Sequence, residues 1–234
     1  MRLLILDSIR GLAFCSMFIF HIFVILKLFN YDIDLNSINI KYFGIIARTL
    51  FILLFGISLH LSYINSSNII SFKKKILNKS KLLIQYSIII TIITYLLIPD
   101  KYIVFGILHF LSISILILYN FIHNINILCI IFISIFIFNI INTNISQYSY
   151  LISFFIPYYK DTIDHFYIFN WINIIIMGIF ISYITHKYNF IKKIKELQSK
   201  HNLFSLIGQN SLQLYILHWP LLYLSLKLFL YSFS

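Results

Sequence analysis

The chain has 234 residues with a mean hydropathy of +0.91, and 11% of them are charged, against about 25% in soluble domains. These values exclude a water-soluble globular domain and predict one polytopic, all-α membrane domain over residues 1–234, with the lipid bilayer as its surroundings. The formal net charge is +11, but the basic residues form short clusters between apolar runs, which is typical of cytoplasmic loops and predicts no nucleic-acid partner.

The apolar runs predict the transmembrane helices. A spanning helix needs about 20 mostly apolar residues, and the chain offers seven candidates. In chain order they are residues 11–29, 43–64, 82–98, 103–121, 127–141, 166–183 and 212–231. The polar break 120–126 predicts a turn inside the long uncharged region around it. The sequence therefore predicts a bundle of about seven transmembrane helices.

The distribution of Lys and Arg predicts the orientation. With the N-terminus in the cytoplasm, 12 of the 18 basic residues lie on the cytoplasmic side. They are Arg2, Arg10, Lys73, Lys74, Lys75, Lys79, Lys81, Lys187, Lys192, Lys193, Lys195 and Lys200. This bias predicts a multi-pass protein of the plasma membrane with a cytoplasmic N-terminus. The run Lys73–Lys75 is chiefly a topology signal, and it is also suited to anionic headgroups or a phosphorylated cofactor.

The first predicted helix carries a stripe of functional candidates. Asp7, Arg10, Phe14, Met17 and His21 follow spacings of three and four residues, which place them within about an 80° arc of a helix. Ionisable groups at membrane depth are functional hypotheses by default. The structural alternative is that Arg10 reaches lipid phosphate, Asp7 pairs with it, and His21 bonds a neighbouring helix.

Two further histidines lie at similar depth in other predicted helices. His109 and His218 each lie about 9 Å into their helix at 1.5 Å per residue. A cavity lined by His21, His109 and His218 would suit general-base catalysis, because a neutral imidazole accepts protons near neutral pH. A three-histidine metal site is the competing chemistry, but no acidic residue at depth and no His-x-x-x-His spacing supports it. We therefore expect no metal, and the spacing does not show whether the three faces meet.

Five blocks of sequence resemble one known family. They are DSIRGLA at 7–13 followed by Met17 and His21, LFGISL at 54–59, FGILHF at 105–110, Trp171 with Gly178, and GQNSLQLYILHWP at 208–220. In this order they resemble the prokaryotic heparan-α-glucosaminide N-acetyltransferase catalytic-domain-like proteins. The sequence departs from the family in two places. Residues 164–171 lack both prolines of the family's outer segment. Residues 30–41, which follow the first predicted helix, lack the histidine that the animal lysosomal enzyme has in this loop.

The resemblance implies a membrane-embedded acyltransferase. It would transfer an acetyl group to an amine or hydroxyl of an extracytoplasmic glycan. The donor would be cytoplasmic acetyl-CoA or a similar acyl-CoA. Arg10 with Asp7, and the lysines Lys73, Lys74 and Lys75, would hold the CoA phosphates. His21 would act as general base or transient acyl carrier, with His109 and His218 orienting groups around it.

The resemblance also assigns the acceptor side, and other interpretations remain. Asp164 and Trp171 would face the acceptor. A small transporter, whose buried histidines relay protons, is the alternative function. A third interpretation is a degenerate relative that only packs against other membrane proteins. A homo-oligomer is compatible with each of these interpretations.

Overall fold

The computed structural model describes residues 3–142, 162–190 and 202–231, and the regular elements of these segments are helices. In chain order they are α1 Leu4–Leu28, α2 Ile38–Ile64, α3 Ile69–Leu97, a 3-10 turn Pro99–Lys101, α4 Ile107–Leu118, α5 Ile125–Asn142, α6 Ile168–Lys187, α7 Leu203–Gln209 and α8 Ser211–Tyr231. Five of the basic residues used to predict the orientation lie outside the described residues: Arg2, Lys192, Lys193, Lys195 and Lys200.

The predicted all-α membrane architecture is confirmed. Among the described residues, α1, α2, α3, α6 and α8 are long and apolar enough to cross a membrane, and α4 and α5 are shorter apolar helices. Each of the seven predicted spans falls on one of these helices. The short helix α7, which precedes the last span, was not predicted, because seven residues are too few to produce a hydropathy signal.

None of the seven helices that match predicted spans begins at its predicted residue, and for α3 and α4 the physical reason is identifiable. Helix α3 begins at Ile69, 13 residues before the predicted span, because Asn68 caps it by accepting a hydrogen bond from the Ser71 N–H at 2.7 Å. Helix α4 begins at Ile107 and not at Ile103. The backbone of Ile103 is held by Thr94 and Thr91 of α3, at N···O and O···O distances of 3.1 and 2.8 Å.

The helices form two compact units. The first contains Met1–Leu54 and His186–Ser234, and the second contains Phe55–Thr185, so that α2 contributes to both. In the first unit α1 packs against α7 and α8, and in the second α3 packs against α4 and the 3-10 turn. The single domain over residues 1–234 stays a prediction.

Two glycines let helices of the first unit approach to backbone contact. A Cβ added to Gly208 of α7 would collide with the carbonyl oxygen of Asp7, and one added to Gly11 of α1 would collide with the carbonyl oxygen of Phe204. Each glycine therefore faces the backbone of the other helix.

In the second unit a glycine also allows two helices to approach to backbone contact, and a buried polar contact joins the same helices. A Cβ at Gly56 of α2 would collide with the backbone carbonyl of Ile175 in α6. Further along the same two helices, Nδ1 of His60 lies 3.0 Å from the hydroxyl of Ser182, and both residues are buried. Such a polar contact between helices is ordinary in a membrane interior, where each polar group needs a partner within the protein.

We expect Gly208→Ala to destabilise the protein by about 1–3 kcal/mol or more, because the clash is with backbone that moves only if α1 and α7 separate. The matched control is Gly44→Ala, whose added Cβ would meet only the ring of Phe20, at 3.1 Å. The measurement is the unfolding temperature of each purified variant in detergent. Equal unfolding temperatures for Gly208→Ala and the wild type would contradict the backbone contact.

Candidate active site

The first unit contains a buried ion pair at the start of α1. An Arg10 Nη1–H donates to Oδ1 of Asp7 at 2.6 Å. Asp7 is 1% exposed, whereas the Arg10 side chain is 25% exposed. The Asp7 carboxylate is therefore buried, and α7 contacts the backbone of the same residue at Gly208. Its hydrogen bond fixes the direction of the guanidinium, which keeps access to solvent or ligand.

Helices α1 and α8 bring two of the three predicted histidines together. Nε2 of His218 lies 3.3 Å from Nδ1 of His21, and the ring centroids are 5.0 Å apart. Nδ1 of His21 also lies 3.0 Å from the carbonyl oxygen of Met17, and Nδ1 of His218 lies 2.6 Å from that of Tyr215. The two imidazoles thus form a pair in which each ring is held by the backbone of its own helix.

The hydrogen-bond partners assign the protons of this pair. A backbone carbonyl oxygen only accepts, so the Nδ1 atom of each ring carries the hydrogen. Nε2 of a neutral His218 then has a lone pair, which accepts from Nδ1–H of His21, a hydrogen shared with Met17. Among the described residues nothing forms a hydrogen bond with Nε2 of His21. That atom is therefore the nitrogen of the pair whose lone pair has no hydrogen-bond partner among the described residues.

Aromatic and apolar side chains surround the pair. The ring of Phe14 meets His218 edge-on with centroids 5.8 Å apart, and the ring of Phe20 meets His21 at the same separation. The ring of Tyr215 lies 5.5 Å from His218, which is 5% exposed. Hydrogen bonds and charges act strongly in such surroundings because little water competes with them.

Sequence reasoning missed one charged residue of this unit, Arg48 of α2. Its Nε–H donates to the carbonyl of Gly44 at 3.2 Å, and Gly44 lies against the ring of Phe20, the residue before His21. Arg48 is half-buried, and its neighbour Ala47 packs against Phe14 and Met17 of α1. The signal was present, because an arginine inside a predicted span is a functional candidate, but the residue was counted with the outer face.

His109, the third predicted histidine, belongs to the second unit. There the N–H of Gly106 donates to Nδ1 of His109 at 3.3 Å. A carboxylate oxygen of Asp164 lies 3.5 Å from the position that a Cβ on Gly106 would occupy. Asp164 and His109 therefore both border Gly106, at the start of α4. Gly106, His109 and Asp164 form a small polar cluster, in which the FGILH block meets the segment before α6.

Trp171 and His165 extend this side of the second unit. The rings of Trp171 and Phe166 lie 5.4 Å apart, and Phe166 donates its N–H to the carbonyl of Phe105 at 3.0 Å. His165 stacks edge-on against Tyr167, with centroids 4.4 Å apart. Burial lowers the pKa of His165, which lies before α6, so this ring is neutral at neutral pH. The segment is thus aromatic and uncharged apart from Asp164.

The predicted phosphate-binding lysines are exposed on α3. Lys73, Lys74 and Lys75 lie in the first two turns of that helix and in the second unit. The ammonium group of Lys73 lies 5.9 Å from the ring centroid of Tyr119, and that of Lys79 lies 4.6 Å from that of Phe55. These cation–π contacts hold part of the cluster at the protein surface. Across the residues that the structure describes, no group of three or more His, Cys, Asp or Glu is placed to hold a metal ion.

Comparison with protein-family models matches residues 2–220 to the family described as heparan-alpha-glucosaminide N-acetyltransferase, catalytic. Comparisons with curated proteins and with solved structures find no match. The family match includes all five sequence blocks, both members of the histidine pair and the polar cluster at Gly106. The chain therefore belongs to the heparan-alpha-glucosaminide N-acetyltransferase catalytic family, a family of membrane acetyltransferases.

Proposed function

We propose that the protein transfers an acetyl group from cytoplasmic acyl-CoA to an amine or hydroxyl of an extracytoplasmic sugar. The observation that carries this proposal is the His21–His218 pair, in which a single basic nitrogen, Nε2 of His21, is left open. A membrane acetyltransferase needs a general base within the membrane, between a donor that stays in the cytoplasm and an acceptor that stays on the extracytoplasmic side. The proposed plasma-membrane location and cytoplasmic N-terminus are supported by the excess of Lys and Arg on one side.

The proposed donor site uses the cations near the cytoplasmic ends of the helices. Arg10, oriented by Asp7, offers N–H donors in a planar fork that suits phosphate groups. The lysines Lys73, Lys74 and Lys75 add mobile positive charge for the CoA phosphates. The pantetheine arm would then extend into the membrane toward His21, which lies about 16 Å from Arg10 along α1 at 1.5 Å per residue.

The proposed chemistry is general-base catalysis of acyl transfer. The acceptor nitrogen or oxygen attacks the thioester carbonyl carbon while Nε2 of His21 takes the acceptor's proton. His218 accepts the Nδ1–H bond of His21, which stabilises the positive charge that develops on the His21 ring. The C–S bond then breaks, and the CoA thiolate leaves and takes a proton from His21. An acyl-histidine route would use the same nitrogen as nucleophile.

The proposed acceptor site is the polar cluster at Gly106. Asp164 would accept hydrogen bonds from sugar hydroxyls, and Trp171 would provide an aromatic surface for a sugar ring. His109 uses Nδ1 as an acceptor, so Nε2 carries its hydrogen in the neutral ring and can donate to the acceptor. Asp164 and Trp171 remain the proposed acceptor residues, as the sequence predicts, and His109 remains a proposed group-orienting residue.

Acetyl-CoA should raise the unfolding temperature of the detergent-purified protein in a concentration-dependent way, because a ligand of the folded state stabilises it by about 2.7 kcal/mol at 100 times Kd. Removing Arg10 alone would leave the buried Asp7 carboxylate without its cation. The informative variant is therefore the double replacement Asp7→Asn with Arg10→Gln, which we expect to fold and to lose most of the shift. The control is Lys27→Ala, an exposed cation at the other end of α1. An undiminished shift in the double variant would contradict the assigned phosphate contact.

His21→Ala should lower the rate of acetyl transfer to glucosamine by about 10²- to 10⁴-fold while leaving the acetyl-CoA-induced thermal shift in place, because a general base acts in the reaction and not in donor binding. His123→Ala is the matched control, since His123 is exposed in the turn between α4 and α5. The readout is radiolabelled acetylglucosamine formed in proteoliposomes. Full transfer by His21→Ala would remove His21 from the reaction. Proton flux without acyl-CoA, together with no transfer by the wild type, would instead indicate the transporter.

A further inference from the structure

Arg48 is a cation placed within a membrane-crossing helix. It lies ten residues after the first residue of α2, or about 15 Å along the helix axis at 1.5 Å per residue. The residues around it, from Ile45 to Leu54, are otherwise almost entirely apolar. A guanidinium at this depth costs free energy, so its presence calls for a specific role.

The contacts of α2 place Arg48 at the level of the histidine pair. His21 lies seven residues before the end of α1, or about 10 Å, and α2 returns from that same end of α1. Ala47 packs against Phe14 and Met17, and the backbone at Gly44 lies against the ring of Phe20. His21 follows Met17 by four residues and therefore shares its face of α1.

The side chain of Arg48 is directed by its own helix. The Nε–H donates to the carbonyl of Gly44 one turn earlier, at 3.2 Å. This bond fixes the plane of the guanidinium, so that the two terminal nitrogens keep a defined direction. The unit thus holds an oriented permanent cation on the part of α2 that packs against the turns of α1 around His21.

We propose that Arg48 binds the thioester carbonyl oxygen of the acyl donor and stabilises the negative charge that this oxygen acquires during transfer. The inference rests on the proposed function. As the acceptor heteroatom bonds to the carbonyl carbon, its proton moves to Nε2 of His21 and the carbonyl electron pair moves to the oxygen that faces Arg48. When the carbonyl re-forms, the C–S bond breaks and the CoA thiolate leaves with a proton from His21. A positioned donor at such an oxygen acts mainly in the transition state.

The test compares acetyl transfer from acetyl-CoA to glucosamine by the wild type, Arg48→Gln, Arg48→Lys and Arg48→Ala in detergent. Arg48→Gln should lower kcat by about 10²- to 10³-fold with little change in KM for acetyl-CoA. Arg48→Lys should recover part of that loss, because it restores the charge without the planar fork. Added methylguanidine should increase the rate of Arg48→Ala and not that of the wild type. The control is Lys41→Gln, an exposed cation in the first turn of α2.

The outcomes separate this inference from the function on which it rests. If the wild type transfers acetyl and Arg48→Gln does so at the same kcat, the role of Arg48 is wrong and the proposed function stands. A loss of kcat that follows a loss of unfolding temperature, with no recovery by lysine or methylguanidine, would reduce Arg48 to a structural residue. If the well-folded wild type transfers no acetyl at all, the proposed function and the role of Arg48 fall together.

Discussion

The backbone contact between α1 and α7 is the constraint on which the first unit depends. Gly11 and Gly208 bring the two helices into backbone contact at Asp7, whose buried carboxylate pairs with Arg10. Because α7 is followed directly by α8, separated only by Asn210, the same contact also fixes where α8 begins. The position of His218 opposite His21 therefore depends on two glycines that are distant from both histidines along the helices, Gly11 in α1 and Gly208 in α7.

Hydropathy predicts the helices well and their ends poorly. Lipid imposes a minimum apolar length on each span, and that length is visible in the sequence. Helix ends depend instead on local hydrogen bonds, such as the Asn68 cap of α3 and the threonine contacts that hold Ile103 out of α4. Helix α7 has only seven residues, which is too short for a hydropathy window to detect.

The candidate site, like the fold, is predicted only in part by the sequence. The spacing from Asp7 to His21 defines a helix face and so predicts which side chains share it. Whether a histidine of another helix lies against that face depends on how the other helix is rotated about its axis. That rotation is set by packing elsewhere in the protein, and residue spacing within one helix does not predict it. Arg48 was overlooked for a different reason: charge counting assigns a cation to the nearest membrane surface, whereas α2 carries this one inward.

The protonation of the histidine pair is anchored by main-chain atoms. Both Nδ1 hydrogens are directed to carbonyl oxygens, those of Met17 and Tyr215, which every amino acid supplies. Side-chain replacement at these two positions therefore leaves the acceptors in place, provided that α1 and α8 remain helical there. Substitutions at both positions can therefore change the surrounding side chains while retaining the same tautomer, which is set by helix geometry and not by a partner side chain.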